Sequence, residues 1–415
     1  MTKARILADY VAGGTTAAEF DYMDGVTSNV QTQLDAKLAL AGGTMTGDLV
    51  PTTPLSHRNI IINGAMSVAQ RGNGPETDGG YSGFYHTAAR MHNFNNCVAM
   101  NVTRETTNGV LGTESGNTFN DVFPYSWKYA SNDTVSSIPA GDRVYNTYRI
   151  EGLDLQHLGK GTANAKSLTL SFWVKSTQTG NHQVNLVDKT NTRQIGATYA
   201  VSSAGTWEKK TITFAGDTTG ALANSNASAL EIEWWLTSGI SYTSGAVPTS
   251  WEAVAATDSN AGGAANYVGG SGRTWQITGV QLELGSSATP FEHRSYADEL
   301  ARCQRYYEEI NSNTSGYAYQ VFAMGSVIDA TAPQGVLMWH TPKRANATVA
   351  FKSTIASYQC ISGSNQTLNA LTFSAAEVDR CQWYAGSGDS STVGRACILR
   401  SNNSSATGIT ISSEL

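Results

Sequence analysis

Charged side chains are scarce in this chain: they make up 14% of its 415 residues, and the formal net charge is −6. Nucleic-acid binding depends on a concentrated basic surface, so this composition argues against that class of function. No run of eighteen apolar residues occurs, and we therefore expect no membrane insertion. The chain begins with MTKARILADYVAGG, which lacks the apolar stretch of a secretion signal, so we expect it to fold in a reducing cytoplasm.

Cysteine is also rare. The five cysteines are Cys97, Cys303, Cys360, Cys381 and Cys397. Their number is odd, their spacings are wide and no C-x-x-C pair occurs, so the pattern predicts neither a disulfide framework nor a zinc site. We expect free thiols, most of them buried.

Recognisable catalytic motifs are missing. The sequence contains no G-x-S-x-G, P-loop or H-E-x-x-H motif, and its nearest histidines, His86 and His92, fit no ligand spacing. We therefore expect no metal and no cofactor. Glu231 and Glu233 are the closest carboxylates on a predicted strand and could in principle flank a glycosidic bond. Such spacing is more typical of a solvated outer face, so we expect no enzymatic activity.

Glycine is abundant, with 41 residues, and accompanies many Ser, Thr and Asn. Short apolar alternations between such turn clusters are typical of a β-sandwich, which we place at residues 57–294. The positions predicted to face its interior include Leu168, Leu170, Phe172, Val174, Ile212, Phe214, Leu230, Ile232, Trp234 and Leu236.

The last predicted strand of the sandwich changes face at Gly279. Trp275 and Ile277 share one parity, whereas the apolar residues from Val280 onward share the other. Because a one-residue slip would turn every later side chain to the wrong face, we predict a β-bulge at Gly279. Beyond it, Ser295 begins a helical pattern, and we predict a connecting helix over 295–310.

The outer faces of the predicted sandwich carry two tryptophans, Trp173 and Trp235, with Gln183 and Asn185 at the same outward parity. Aromatic rings beside amides suit a sugar, because rings contact its C–H face and amides bond its hydroxyls. Alternatively, a loop or a neighbouring subunit covers these rings.

Residues 311–415 are predicted to form a small all-β domain. It contains Trp339, Trp383 and Tyr384, together with polar stretches that we predict as loops, such as Ile361 to Ala370. Aromatics beside mobile Ser/Asn/Gly loops form adaptable recognition surfaces. The alternative is that the aromatics are core and the loops are spacers.

Residues 1–54 contain one short amphipathic pattern, which begins near Ser28. It predicts a helix with an apolar stripe of Val26, Val30, Leu34 and Leu38. A helix this short is marginal alone, so it packs either on its own domain or against copies of itself.

Four stretches resemble bacteriophage tail-fibre and tail-tip receptor-binding proteins. They are NIIINGAMSVAQRG (59–72), RIEGLDLQHLGKGTANAKSLTLSFWVKS (149–176), GVQLELGSSATPFEHRSYADELARCQRYYE (279–308) and EFDYMDGVTSNVQTQLDAKLALAGGTMTGDL (19–49). The family often carries Asp-Arg-Trp after a Tyr-rich loop, whereas this chain keeps only Arg90. The contacts of that motif are therefore open here.

The resemblance, with a more general one to carbohydrate-binding modules, implies a jelly-roll body. It also implies a non-enzymatic homotrimer in the virion, made in the host cytoplasm. The N-terminal segment would trimerise and dock to a phage tail or baseplate protein. The C-terminal domain would bind a host cell-surface glycan or outer-membrane component.

We place receptor binding first at Trp383 and Tyr384, then at Trp339, with Trp173 and Trp235 as the rival site. Other functions stay open: a structural virion spacer, or a non-viral carbohydrate-binding module or secreted glycan-active protein.

Overall fold

The computed structural model describes residues 57–78, 82–85, 90–97, 100–106, 109–110, 121–311, 319–388, 391–404 and 407–415. The chain divides into two compact units, Met1–Thr52 and Thr53–Leu415, and every described residue belongs to the second. The predicted trimerisation helix, with Val26, Val30, Leu34 and Leu38, therefore lies outside the described residues.

Two antiparallel sheets form the sandwich. In chain order its strands are β1 (Glu76–Asp78), β2 (Ser82–Tyr85), β3 (His92–Asn95), β4 (Met100–Glu105), β5 (Ser126–Ser131), β6 (Arg143–Glu151), β7 (Leu168–Ser176), β8 (Gly180–Asp188), β9 (Arg193–Val201), β10 (Glu208–Phe214), β11 (Ser228–Ser238), β12 (Glu252–Ala253) and β13 (Thr274–Leu284). The six-stranded sheet has the order β1-β4-β5-β13-β7-β10, and the seven-stranded sheet has the order β12-β9-β8-β11-β6-β3-β2. Short 3-10 helices occupy Gly152–Leu158, Ile240–Tyr242, Ala256–Asp258 and Ile355–Ser357.

Alternating side chains of these strands fill one core between the two sheets. On β11 the residues predicted to face inward, from Leu230 to Leu236, are buried, and so is Phe172 on β7. Because strand side chains alternate between faces, one apolar face per strand suffices to build the core. The predicted mainly-β class, with a jelly-roll sandwich, a short helix and a small C-terminal β unit, is confirmed.

The predicted bulge at Gly279 is confirmed. The pairing of β13 with β7 shifts register between Thr278 and Gln281, and Gly279 has a φ of 59°. Ile277 and Val280 are both fully buried, so the bulge restores the inward face of the strand. Glycine is favoured there because residues that carry a side chain rarely adopt a positive φ.

The connecting helix is shorter than predicted. Helix α1 spans Tyr296–Gln304, and the residues that follow form strand β14 (Tyr307–Asn311) rather than a continued helix. The Ser295 hydroxyl accepts a hydrogen bond from the backbone N–H of Asp298, as expected for an N-cap. The side chain of Cys303 on α1 packs into the sandwich core. The helical spacing could not reveal that the last residues pair with a strand about a hundred positions further on.

The C-terminal residues form a closed six-stranded barrel and a separate three-stranded sheet. Their strands are β15 (Val321–Asp329), β16 (Ala332–Met338), β17 (Thr348–Phe351), β18 (Tyr358–Ile361), β19 (Asn365–Ser374), β20 (Arg380–Ser387), β21 (Ala396–Ser401) and β22 (Gly408–Ser412). The barrel has the order β15-β16-β20-β19-β18-β21, and the small sheet has the order β14-β22-β17. The predicted loop from Ile361 to Ala370 is thus wrong, because β19 begins at Asn365.

Arg90 joins the sandwich to the residues that follow β22. Its guanidinium, 1% exposed, lies 3.5 Å from the centroid of the Tyr306 ring and 2.8 Å from the Glu414 carboxylate. It also donates a hydrogen bond of 2.7 Å to the backbone oxygen of Arg149. Glu414 in turn bonds Arg71 at 3.2 Å. Arg90 therefore has a structural role in this fold.

The bulge predicts an effect on stability. In Gly279→Ala the new methyl group would lie 2.7 Å from the Phe123 ring, whereas Gly272 has a similar φ and open space around it. We expect Gly279→Ala to lower the free energy of unfolding by about 1–3 kcal/mol more than Gly272→Ala, because overpacking adds to the backbone strain. Urea denaturation measures both variants. Equal losses would show that Phe123 does not restrict this position.

The buried ion pair between Arg90 and Glu414 predicts a second effect on stability. Glu414→Gln removes the carboxylate that faces the buried guanidinium, so we expect the free energy of unfolding to fall by about 3 kcal/mol. The control is Glu377→Gln, which breaks a pair with Arg380 whose side chains are 61% and 52% exposed. That variant should lose less than about 1 kcal/mol. If thermal unfolding does not distinguish the two variants, the Arg90–Glu414 pair does not stabilise the fold more than an exposed ion pair.

Candidate functional site

The barrel separates the two residues predicted as the first binding pair. Trp383 and Tyr384 are neighbours on β20, and neighbouring strand residues point to opposite faces. Trp383 is fully buried inside the barrel, whereas Tyr384 is 37% exposed on its outer face. The prediction that both contact a ligand is therefore wrong for Trp383. Tyr384 keeps its place as a candidate.

Tyr384 lies in a shallow groove of about 490 Å³ on the outer face of β15, β16 and β20. The side chains that line this outer-face groove are Met324, Ser326, Gln334, Val336, Gln382 and Tyr384. The Tyr384 hydroxyl donates a hydrogen bond to the side-chain oxygen of Gln382. The groove therefore combines one tyrosine, two amides and one serine hydroxyl with two apolar side chains, and none of the six is an acidic or basic residue.

A glycine pair forms the floor of this groove, and the buried Trp383 lies behind it. Gly325 and Gly335 are cross-strand partners, and Gly335 is also opposite Trp383. A methyl group at Gly325 would lie 2.8 Å from the Trp383 ring, and one at Gly335 would lie 2.6 Å from its indole nitrogen. The absence of side chains at the two glycines lets the indole fill the space behind the groove. Trp383 thus supports the outer face without touching it.

Several side chains around the groove are apolar and exposed. Met324 is 74% exposed, Val336 46% and Met338 63%. Contiguous apolar surface on a barrel face is unusual unless it meets a ligand or a partner. Alternation along β20 could have linked Gln382 to Tyr384 from the sequence. Ser326, Gln334, Met324 and Val336 could not be placed, because the sequence does not reveal the register of β15 and β16.

Trp339 is also removed from the surface. It is 7% exposed, and its indole N–H donates a hydrogen bond of 2.8 Å to the backbone oxygen of Val378. Its ring packs in the barrel core. The prediction that Trp339 binds a ligand is wrong, because neither its ring faces nor its N–H is open to solvent.

Trp173 faces away from the sandwich core, as predicted, but it is fully buried. It packs with Val110, Phe123 and Trp207 in a separate small cluster. The alternative that a loop covers this ring is therefore correct, and Trp173 is not a ligand platform. Leaving so large an apolar ring exposed to water would cost free energy, and its packing against Val110, Phe123 and Trp207 avoids that cost.

Gln183 and Asn185 are covered by the backbone from Asp258 to Gly262. The Gln183 amide donates a hydrogen bond of 2.7 Å to the backbone oxygen of Asp258 and accepts one of 2.8 Å from Gly262. Asn185 donates a hydrogen bond of 2.7 Å to the backbone oxygen of Ser259. Both side chains are fully buried, so the prediction that they bind a sugar is wrong. Their amides instead bond to the covering backbone.

Trp235 belongs to a stack of aromatic rings and is 3% exposed. Its ring is stacked on Tyr145 with centroids 4.7 Å apart and planes at 20°, and Tyr242 lies at 5.4 Å. Sugars bind to the open faces of aromatic rings, and these contacts cover the faces of Trp235. The rival site is therefore not supported at Trp235.

Glu233 lies beside this stack, and its carboxylate accepts a hydrogen bond of 3.0 Å from the Trp235 indole. Burial, followed by the neighbouring charge of Glu231, raises the pKa of Glu233 to about 7. Glu231 itself pairs with Arg149 at 2.9 Å and with Lys189 at 3.7 Å. The two carboxylates therefore differ in environment: Glu231 has two basic partners, whereas Glu233 bonds to an indole N–H.

The described part of the chain contains neither a helix long and apolar enough to cross a membrane nor a cluster of three His, Cys, Asp or Glu that could hold a metal ion. The five cysteines are free, and four of them are buried, in line with the prediction for their burial.

No protein-family model and no curated protein matches this chain. Solved structures do match it. One is the enzymatically active domain of tailspike protein 4 from bacteriophage CBA120, at 12% identity and a TM-score of 0.26, over 55% of this chain and 21% of that chain. Another is a family 11 carbohydrate-binding module of a cellulosomal cellulase from Clostridium thermocellum, at 10% identity and a TM-score of 0.23.

The second match covers 52% of this chain and 98% of the module. A third structure joins a family 22 carbohydrate-binding module to a xylanase domain from the same bacterium, complexed with xylohexaose. It matches at 12% identity and a TM-score of 0.24, over 55% of this chain and 30% of that one. The chain thus spans only about a fifth of the tailspike domain, and likeness at these TM-scores carries no argument about function.

The raised pKa of Glu233 predicts a pH dependence of stability. The unfolded chain releases this proton near the ordinary pKa of 4.5, whereas the folded chain keeps it up to about 7. Between these two pH values the folded chain binds this proton and the unfolded chain does not. The free energy of unfolding is therefore highest below pH 4.5 and falls as the pH rises to about 7. Glu233→Gln should gain free energy of unfolding relative to the unmodified chain over this interval. Parallel pH profiles in denaturant titrations would contradict the assignment.

Proposed function

We propose that this protein is a bacteriophage tail fibre or tail-tip protein that attaches the virion to a glycan on the host cell surface. It acts without enzymatic activity, as a homotrimer. The observation that carries the proposal is the exposed Tyr384 in an uncharged groove beside Gln382 and Gln334. The resemblance of residues 59–72, 149–176 and 279–308 to tail-fibre proteins supports the placement in a virion.

The chemistry of the outer-face groove suits a hydroxyl-rich ligand. A pyranose presents an apolar C–H face and a rim of hydroxyls. The Tyr384 ring and Val336 can cover the first, while the amides of Gln334 and Gln382 can donate to and accept from the second. Amides are well suited to hydroxyls because each carries both donors and acceptors.

Weak single sites suit a trimeric attachment protein. A shallow groove binds one sugar segment weakly, but three copies on one particle can raise avidity by about 10²–10⁴ where the geometry allows simultaneous contact. We propose that the N-terminal segment, with Val26, Val30, Leu34 and Leu38, forms the trimer and docks to a tail or baseplate protein. The apolar stripe of the predicted helix would require a partner, because a helix of this length is marginal alone.

The test is the binding of the purified, intact chain to host cells. Tyr384→Ala should reduce adsorption at least tenfold, or about 1.4 kcal/mol, because aromatic side chains at the centre of a binding site contribute much of the binding free energy. The matched control is Tyr296→Ala, which removes a more exposed tyrosine, at 60%, on helix α1 outside the groove. It should adsorb like the unmodified chain.

Equal adsorption by both variants would show that the outer-face groove is not the receptor site. If the intact chain itself does not adsorb to any host cell yet assembles into virions, the protein is a structural spacer and the attachment function is wrong. Light scattering of the same samples tests the trimer independently of adsorption.

A further inference from the structure

The pairing of four barrel strands places the outward side chains in two parallel rows. In the first row Thr372 is opposite Tyr384, Tyr384 is opposite Gln334, and Gln334 is opposite Ser326. Neighbouring strands are about 4.8 Å apart, so a row from β19 to β15 extends over roughly 14 Å. This length exceeds a single sugar ring.

The second row runs beside the first, with Ser374 opposite Gln382, Gln382 opposite Val336, and Val336 opposite Met324. Its β19–β20 end is therefore polar and its β16–β15 end is apolar. The first row carries a polar group at each of its four positions. On β16 and β15 the surface is therefore amphipathic across its width. Gln334 and Ser326 form its polar side, and Val336 and Met324 form its apolar side.

We propose that this surface binds a linear, neutral oligosaccharide that lies across strands β19, β20, β16 and β15. The inference rests on the proposed glycan-binding function and defines its ligand. The C–H faces of the sugar rings lie on Tyr384, Val336 and Met324. The hydroxyls on one edge bond to Thr372, Gln334 and Ser326.

The charge of the surface selects a neutral ligand. The two rows contain no Asp, Glu, Lys, Arg or His. Arg380, two residues before Gln382 on β20, already pairs with Asp379 at 3.1 Å and with Glu377 at 3.7 Å. A sulfate or carboxylate on the ligand would lose hydration without gaining a counter-charge. Anionic glycans should therefore bind more weakly than neutral glycans of the same backbone.

The geometry also predicts that binding depends on oligosaccharide length. A monosaccharide can contact the central Tyr384 and Gln334 but cannot reach Thr372 and Ser326 together. Each further hydrogen bond adds modestly to the affinity, and the two end contacts together correspond to about tenfold. Affinity should rise with length until the ligand spans the row.

The experiment uses the intact chain on an array of neutral oligosaccharides, from monosaccharides to hexasaccharides, with sulfated or uronate counterparts of each. We expect the unmodified chain to bind the longer neutral members best. The double variant Thr372→Ala with Ser326→Ala should lose about tenfold for long ligands and almost nothing for short ones. Tyr384→Ala should lose affinity for both long and short ligands. Ser364→Ala, an exposed serine outside the rows, is the control.

Each outcome separates the two proposals. Equal affinity for short and long ligands, with Tyr384→Ala still inactive, would overturn the extended surface and leave the glycan-binding function intact. Tighter binding of the anionic counterparts would overturn the neutral class. Binding that Tyr384→Ala does not reduce would overturn the groove itself. If no glycan binds and Met324→Glu instead dissolves an association between copies, the face is a subunit contact and both proposals are wrong.

Discussion

A buried guanidinium has to be paired, and this requirement at Arg90 holds the sandwich and the C-terminal strands together. Arg90 has a φ of 74° and is 1% exposed, so both its backbone and its charge would be costly without compensation. Its partners come from three separate stretches: the Arg149 backbone, the Tyr306 ring and the Glu414 carboxylate. Tyr306 directly precedes β14 and Glu414 follows β22, and these two strands pair with each other.

Alternation along β20 then creates the candidate site. Trp383 turns inward and fills the barrel behind Gly325 and Gly335, while Tyr384 turns outward beside Gln382. The rigidity of the interior positions the exposed ring, since a side chain on a packed strand moves less than one on a loop. The proposed recognition by a strand face differs from the loop-based recognition that the polar composition of this domain predicted.

Local rules in the sequence were sufficient where one strand or one helix start decides the outcome. Parity along β13 predicted the bulge at Gly279, and Ser295 predicted the cap of α1. These local rules failed where distant segments determine whether a side chain is exposed. The loop that covers Trp173 and the Asp258–Gly262 backbone that covers Gln183 both lie far away in the chain. Parity correctly placed these side chains on outer faces, but it cannot report what packs there. Likewise, Ser326 joins Tyr384 only through the register of three strands.

We propose that a glycan binds to the outer face of the barrel rather than to the aromatic stack of the sandwich. Hydrogen exchange of the intact chain, with and without isolated host cell-surface glycan, distinguishes these two locations. Binding at the barrel should slow backbone exchange in β15, β16 and β20, with no change around Trp235 and Tyr145. Slower exchange confined to β6 and β11 would contradict it.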